Sequence, residues 1–302
     1  MRLVNNGRVN IVITNRVLRY TYHKNPTNDG LITHGEVELP KDTIKDGTIV
    51  NKLVFTEIMK NLVQQHNWKR KRLNFCVPDD TVVIRQLEIP ASLSKAEALG
   101  YIHTQIGNRF YLPFPNPAIS IEFLEVDEKN RNILLYAYPK EKIAAFEDVF
   151  AESGLKSVVA DLTSLSVFRY YYMHRQAKHE HILHIHWNHD ALVLTAFKQD
   201  KAIFTRYMKI VTNDVTLNAE TANQVINEFV IEINRIVDFY QFSITKGEAT
   251  INMLVLSGDF LYLDSVKTVL SNTVTLPIYS FEEEELAKKY VDVLGLALKQ
   301  DV

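Results

Sequence analysis

The apolar side chains between residues 220 and 242 recur every three to four positions. This spacing is typical of a long amphipathic helix with one buried face, and it is clearest in the run Asn227–Tyr240 (NEFVIEINRIVDFY). A largely apolar run at 251–256 follows and ends at Ser257-Gly258, which predicts a buried strand closed by a tight turn. This helix, strand and turn form the most informative segment of the chain.

The rest of the chain shows strand-like and helix-like patterns, with no long linker and no low-complexity segment. Alternating or short apolar runs predict strands, and apolar residues at helical spacing predict helices. In the first half, the predicted strands lie at 9–14, 17–23, 34–39, 73–77, 81–89, 118–126, 132–138 and 157–160. The predicted helices there lie at 53–63, 94–107, 140–152 and 164–175. In the second half, strands at 182–187, 192–197 and 202–208 precede the 220–242 helix.

Both halves therefore show three strands followed by a helix and a strand. This layout predicts an α/β protein with a first domain at 1–175, a second domain at 176–280, and a C-terminal segment at 281–302 whose helix returns to the first domain. The segment at about 91–150 is predicted to be an inserted subdomain. It contains Tyr111–Pro117, which three prolines hold extended.

The composition is that of a soluble globular protein, with 46% hydrophobic and 23% charged residues among 302. The formal net charge of −2 gives no indication of a nucleic-acid partner. A single cysteine, Cys76, excludes a disulfide within the chain and suggests a reducing compartment. No apolar run is long enough for a membrane span or a signal peptide. We therefore expect a cytoplasmic protein, and any attachment to the membrane would have to come through a partner.

The run Lys69–Arg72 is the most concentrated group of positive charge in the sequence. Since the cluster is isolated along the chain, a solvated turn is favoured over a phosphate or membrane contact.

Several short motifs occur along the chain in addition to the Asn227–Tyr240 helix and its Leu-Ser-Gly turn. They are Val77-Pro78-Asp79, Leu87–Pro90, Leu112–Pro115, Tyr138–Glu141, Ser153–Leu155 and Gly295–Leu298. As an ordered set, these motifs resemble those of the type IV pilus assembly protein PilM family. The resemblance implies an actin-like fold, which is a duplicated ribonuclease H-like fold, with an inserted subdomain.

The resemblance also implies a role as a cytoplasmic scaffold in a type IV pilus or competence-pilus assembly complex. The expected partner is the cytoplasmic N-terminal peptide of a PilN-type bitopic inner-membrane protein. The assembly motor and a second copy of the chain are further candidates.

The nucleotide motifs of that family are altered in this chain. The first family turn reads Asp-x-Gly, and here Val12 stands in place of the aspartate and Thr14 in place of the glycine, followed by Asn15. In the second turn, His186 and Asn188 replace the corresponding aspartate and glycine. Without the acids, no side chain is available to organise hydrated magnesium.

The third turn of the family, where adenosine would lie, reads Ser-Gly-Gly-Gly. Here it reads Ser257-Gly258-Asp259-Phe260, which puts a carboxylate where close backbone approach is needed. We therefore expect no enzyme activity and no cofactor, with ATP and magnesium unlikely ligands, although Asn15, Asn188 and Gly258 remain as elements of a weak site. The alternative is an actin-like ATP-binding protein gated by nucleotide through altered ligands.

The histidines at 179, 181, 184, 186 and 189 suggest a second alternative, a metal-dependent sensor. His184 and His186 are predicted to share one strand face, and imidazoles so placed bind zinc or copper. No third ligand is identifiable, so a chance histidine-rich strand is favoured.

Two segments are candidates for a partner-peptide groove between the first half and the insert. The strand around Val83, Arg85 and Leu87 offers an edge for strand addition, and the loop with Tyr111, Leu112 and Phe114 holds aromatic rings on rigid prolines. The alternative for both segments is ordinary core packing.

Overall fold

The structure is a computed structural model that describes residues 7–175, 181–210, 218–282 and 284–300. The strands of the first half are β1 (Arg8–Ile13), β2 (Val17–His23), β3 (Leu31–Glu38), β4 (Ile44–Lys45), β5 (Thr48–Ile49), β6 (Arg72–Val77), β7 (Val83–Pro90), β8 (Pro117–Val126), β9 (Asn130–Pro139) and β10 (Lys156–Leu162). Its helices are α1 (Lys52–Gln65), α2 (Lys95–Gln105), α3 (Lys140–Glu152) and α4 (Thr163–Arg175).

The second half contains the strands β11 (His181–Trp187), β12 (Ala191–Lys198), β13 (Lys201–Lys209), β14 (Met253–Ser257) and β15 (Ile278–Ser280). Its helices are α5 (Ala219–Phe239), α6 (Leu263–Thr273) and α7 (Glu285–Ala297), and one π-helical turn, Tyr240–Ile244, extends α5. Within the described ranges, no helix combines the length and the apolar character needed to cross a bilayer.

The two main sheets have the same topology. The first has the order β10-β6-β1-β2-β3, and the second has the order β13-β12-β11-β14-β15. In each sheet, the first three strands along the chain pair antiparallel. The fourth strand pairs parallel with the first, and the fifth pairs parallel with the fourth. This repeated topology confirms the duplicated, actin-like α/β class predicted from the sequence.

Each sheet has its own core on its outer face. Phe55 of α1 and Phe146 of α3 pack over the first sheet, and α5 and α6 pack over the second. The long helix α5 begins with a capping box, in which Asn218 accepts a hydrogen bond from the Thr221 amide while the Thr221 side chain accepts one from the Asn218 amide. Its buried positions, including Ile226 and Ile233, follow the helical spacing seen in the sequence.

Helices α4 and α7 lie between the two sheets and pack against each other. The contact is close at Gly295, where an added Cβ would stand 1.9 Å from the carbonyl oxygen of Ser166. Helix α7 also lies against β1, β2 and β6, where its Val293 and Leu296 pack on Val12 and Cys76. The two halves are therefore joined through a helical layer as well as through their chain connection.

The insert forms a separate sheet of order β7-β9-β8, with α2 packed on one face. Its boundaries differ from the predicted 91–150, because β7 (Val83–Pro90) opens this sheet and α3 packs on the first main sheet instead. The insert sheet and its helix thus occupy 83–139. The proline at the end of β7 suggested a boundary there, whereas strand pairing places that boundary one strand earlier.

Candidate functional site

Three turns meet between the two halves, at the place where the resemblance would put a nucleotide. They join β1 to β2, join β11 to β12, and follow β14. Asn15 in the first turn donates a hydrogen bond to Asp190 in the second, with 3.0 Å between Nδ2 and Oδ2. Val12, which stands in place of the family aspartate, is fully buried against α7. The first turn therefore presents an apolar side chain to the core and an amide to the opposite half.

Thr14 uses its hydroxyl to stabilise the first turn. Its Oγ1 accepts hydrogen bonds from the backbone amides of Arg16 and Val17, at 3.3 and 3.0 Å. Such a local hydroxyl-to-amide turn needs no glycine. The amides that would approach a phosphate in an actin-like site are thus bonded within the turn itself.

Asp259 is the centre of the contacts that close the three turns. Its Oδ2 accepts hydrogen bonds from Arg16 at 2.5 Å and from Arg19 at 2.6 Å. Its Oδ1 accepts one from the His189 amide at 3.0 Å, and its own amide donates to the Asn188 side chain at 3.3 Å. Burial would raise the pKa of Asp259, but Arg19 and Arg16 outweigh it and hold the pKa below its usual value.

Arg19 extends this network to the helical layer. Its side chain is 2% exposed, and its Nη1 donates to Asp292 of α7 at 2.9 Å while its Nη2 donates to Asp259. Burial alone would lower the pKa of Arg19, yet the two carboxylates raise it above its usual value. A side chain of the first sheet therefore joins α7 and a turn of the second half through one guanidinium.

The third turn packs directly on the end of β11. Gly258 has φ +126, and a Cβ there would lie 2.0 Å from the Trp187 carbonyl oxygen. Phe260 donates its amide to that same oxygen at 3.1 Å and stacks on the Trp187 ring at 5.5 Å. The aromatic ring of Phe260 is buried in the core of the second half, so it contributes to the packing of that core.

The space left between the turns is small. A cavity of about 30 Å³ is lined by side chains that include Thr14, Asn15, Asp79, His186 and Asn188. Cavities that hold drug-sized ligands have volumes of several hundred Å³, and 30 Å³ is on the scale of one water molecule. In this conformation the cleft between the halves is filled by the protein's own side chains.

His184 and His186 share one face of β11, as predicted, with ring centroids 5.7 Å apart. Both rings are buried and contact the Ser257 hydroxyl, at 2.7 and 2.8 Å, and burial lowers the pKa of both. His181 instead contacts the Tyr240 hydroxyl, and His179 lies outside the described residues. In the ranges that the structure describes, no three His, Cys, Asp or Glu side chains form a metal-binding group.

A second candidate site is a groove of about 620 Å³ between the insert and the first main sheet. It is lined by residues 118–122 of β8, 136–138 of β9, 160–162 of β10, and side chains of α4. Strands β8 and β10 are terminal in their sheets, so each has one side of its backbone without a neighbouring strand. The groove is therefore lined by two strands that each have a free edge, and free strand edges bind extended peptides by strand addition.

The lining of the groove combines apolar side chains with a group of side chains that form ion pairs. Leu165 and Phe168 of α4 provide apolar surface. The Asp161 carboxylate is 2% exposed and contacts Arg169 at 2.8 Å and Lys299 at 3.0 Å. Since both basic side chains keep about a quarter of their surface exposed, they can also meet polar groups of a ligand.

The six residues predicted for the partner groove lie elsewhere. Val83, Arg85 and Leu87 belong to β7, the opposite terminal strand of the insert sheet, which lies against β13. Tyr111 is 71% exposed in the loop before β8, with Leu112 and Phe114 half-buried beside it. None of the six lines the 620 Å³ groove. The alternating pattern of β8 was visible in the sequence, but its terminal position depends on strand order.

Comparison with known proteins agrees with this architecture. The family model "Type IV pilus assembly protein PilM" matches residues 25–222, more than half of the chain. Among curated protein sequences, none matches significantly.

Several solved structures share the fold over nearly the full length. The structure described as a PilM-PilN type IV pilus biogenesis complex has a TM-score of 0.80 at 15% identity, covering 97% of this chain and 99% of the other. A Bacteroides thetaiotaomicron protein with an actin-like ATPase fold and unknown function has a TM-score of 0.56 at 11% identity, with 98% and 97% coverage. The ethanolamine utilization protein EutJ of Carboxydothermus hydrogenoformans has a TM-score of 0.55 at 10% identity, with 97% and 89% coverage. The chain thus belongs to the type IV pilus assembly protein PilM family and has its actin-like fold.

Proposed function

We propose that this protein is a scaffold of a type IV pilus or competence-pilus assembly complex and works without ATP hydrolysis. It binds the cytoplasmic N-terminal peptide of a PilN-type membrane protein, and this contact holds it at the inner face of the membrane. The observation that carries the proposal is the groove lined by β8 and β10, two terminal strands that each have a free edge. The similar structure whose description pairs PilM with PilN supports the choice of partner.

The groove suits a short extended peptide. The five residues of β8 that line it, 118–122, span about 17 Å, which an extended peptide of five or six residues would match. Backbone hydrogen bonds to a strand edge supply affinity, and alternate side chains of the peptide contact the two walls of the groove and give specificity. One wall is the apolar surface of α4, and the polar end lies at Arg169 and Lys299.

A groove-filling substitution tests this placement. Ala160 lines the groove and has an exposed side chain, so Ala160→Arg would put a long cation into the groove while leaving the core intact. We expect at least a tenfold loss of affinity for the partner's N-terminal peptide, measured by fluorescence anisotropy. The matched controls are Arg85→Ala and Tyr111→Ala, two exposed positions outside the groove, which should bind as the wild type does.

The opposite pattern would overturn the placement. If Tyr111→Ala or Arg85→Ala abolished binding while Ala160→Arg did not, the partner would dock on the loop or on β7. Thermal unfolding of each variant serves to exclude misfolding as the cause of a loss.

The contacts of Asp259 support the absence of nucleotide chemistry. A bound nucleotide would need the space that Arg16, Arg19 and the 258–260 turn now fill. We expect millimolar Mg-ATP and Mg-ADP to leave the melting temperature unchanged, since a ligand of the native state must raise it. A clear rise with Mg-ATP would favour the nucleotide-gated alternative instead.

A further inference from the structure

The first main sheet brings together basic residues that are far apart in sequence. Arg8 of β1 is in register with Arg72 of β6, and Arg72 is in register with Lys156 of β10. Register partners on adjacent strands lie about 5 Å apart and project from the same face of a sheet. Three cations from three strands therefore form a row at one end of the sheet.

Further cations border this row. Lys24 directly follows β2, whose last residue, His23, is in register with Arg8. Lys69, Arg70 and Lys71 form the turn before β6, where the Arg70 amide donates to the Gly154 carbonyl oxygen at 2.7 Å. We call this surface the basic face, and its residues are Arg8, Lys24, Lys69, Arg70, Lys71, Arg72 and Lys156.

The basic face contrasts with the rest of the molecule. The segments that form it, 7–8, 23–30, 66–72 and 153–156, contain seven Lys and Arg residues and a single acid, Asp29. The whole chain has a formal charge of −2. Seven cations against one acid thus give this end of the first sheet a local excess of positive charge, where the sequence alone showed only an isolated cluster.

Part of this charge has a role inside the fold. Arg8 is half-buried and donates to the Lys299 carbonyl oxygen at 3.3 Å, and Lys71 lies over the Tyr22 ring at 5.5 Å. The side chains of Lys24, Lys69, Arg70 and Lys156 are exposed. These exposed side chains come from three segments, so they form a surface and not only a turn.

The basic face adjoins the peptide groove. Strand β10 runs from Lys156 on the basic face to Asp161, which lines the groove, a distance of about 17 Å. Lys299 also lines the groove, and its backbone carbonyl is the one that Arg8 contacts. A peptide in the groove would therefore need only about five further extended residues to reach the level of the basic face.

We propose that the basic face rests on an anionic bilayer surface. This orientation of the protein relative to the membrane rests on the proposed function, because a partner anchored in the membrane would bring this end of the protein close to the lipid headgroups. Acidic lipids give the bilayer a negative surface potential that attracts clustered Lys and Arg within about 10 Å. A single-stranded nucleic-acid site would instead offer exposed aromatic rings for base stacking, and Trp68 beside this turn is 2% exposed.

Vesicle co-sedimentation of the full chain without any partner tests the lipid contact. Vesicles of phosphatidylcholine with one third phosphatidylglycerol are compared with pure phosphatidylcholine, at low and at physiological salt. We expect binding only to the anionic vesicles, weakened as salt rises. The variant Lys24→Glu/Lys69→Glu should bind the anionic vesicles at least tenfold more weakly, since each Lys close to an anionic membrane surface adds to the binding affinity.

The matched control is Lys129→Glu/Lys140→Glu, which removes one exposed lysine of the insert and one at the start of α3 and changes the net charge equally. This control variant should bind anionic vesicles as the wild type does, because the proposal assigns binding to the position of the charges and not to the net charge. Equal losses in both double variants, no binding to anionic vesicles, or stronger binding to duplex DNA at the same salt would each overturn the proposal.

The peptide assay separates this proposal from the proposed function. Lys24→Glu/Lys69→Glu should keep full affinity for the partner peptide in solution, because neither lysine lines the groove. Loss of vesicle binding with retained peptide binding supports a membrane-facing surface. Wild-type vesicle binding with no peptide binding would leave the lipid contact standing and refute the groove.

Discussion

Replacing Asp259 by alanine should weaken the junction of the two halves more than any exposed substitution. Asp259 is 12% exposed at its side chain and pairs with Arg19, which is 2% exposed. Removing one partner of a buried ion pair costs about 3–5 kcal/mol, because the remaining charge stays buried and short of a partner.

The structure places the cost of losing the Arg19 pair near the lower end of that range. Arg19 keeps Asp292 at 2.9 Å in the variant, so it is not left alone. Arg16 is 38% exposed and its pair with Asp259 adds at most about 1 kcal/mol. The His189 amide loses its acceptor, at a further cost of about 1 kcal/mol. With these two costs added to about 3 kcal/mol for the Arg19 pair, we expect a loss of about 4–5 kcal/mol in the free energy of unfolding.

Urea unfolding provides the measurement, because the chain has one tryptophan in each core, Trp68 in the first and Trp187 in the second. Fluorescence and far-UV circular dichroism together show whether the two halves unfold in one transition or two. The control is Asp238→Ala, an exposed acid on α5, which should change the stability by about 0.5 kcal/mol or less. If Asp259→Ala cost no more than this control, the network would not hold the halves together.

The pH dependence offers an independent check with a definite sign. The folded state lowers the pKa of Asp259, so the carboxylate stabilises the fold above its unfolded pKa of about 3.8. That contribution is lost as the pH falls through the lowered folded pKa. The gap between wild type and Asp259→Ala should therefore be full at pH 7 and shrink under more acidic conditions than pH 3.8. A gap that stayed constant into acid would show that charge is not its cause.

Three further outcomes follow from local contacts. Gly295→Ala should destabilise by about 1–3 kcal/mol in urea unfolding, because its Cβ would lie 1.9 Å from the Ser166 carbonyl oxygen, whereas Gly100→Ala on α2 meets nothing within 4 Å and should not destabilise. Cys76 is buried, and burial raises the pKa of its thiol, so a thiol reagent should label it only after unfolding; rapid labelling of native protein would contradict its position. Ser257→Ala should cost about 1–3 kcal/mol, since two buried imidazoles of β11 lose the hydroxyl they share, and an unchanged melting curve would refute that shared contact.

The helices and strands were predictable because hydrophobic periodicity and helix capping depend on residues that are close together in the sequence. The pattern at 220–242 predicted α5, which spans Ala219–Phe239, and the pattern at 94–107 predicted α2, whose start is capped by Ser94 and Glu97. Helix α6 (Leu263–Thr273) and strand β15 (Ile278–Ser280) were missed. The strand is only three residues long, too short for a clear period, and its pairing with β14 is a tertiary contact.

The altered turns were recognisable by motif, but what replaced the nucleotide contacts was not. The sequence showed Asp259 in place of a glycine, and it did not show that this carboxylate pairs with Arg16 and Arg19 from the first half. The predicted groove residues Val83, Arg85 and Leu87 lie on the edge of the insert sheet that faces β13. Choosing between the two edges of a sheet requires the strand order, which depends on pairing between distant segments.

By itself, the sequence determined the order and type of most elements, the duplicated layout and the PilM family, because these depend on local periodicity and on short motifs. The tertiary structure alone decided which strand edges border the groove, which cations share the basic face and which acid closes the cleft. Each of these depends on register and packing between residues far apart in the sequence, such as Arg8 beside Arg72 or Arg19 beside Asp292, which are 273 positions apart. Such contacts leave no periodic trace along the chain, because the free energy that selects them comes from the burial and pairing of the folded molecule.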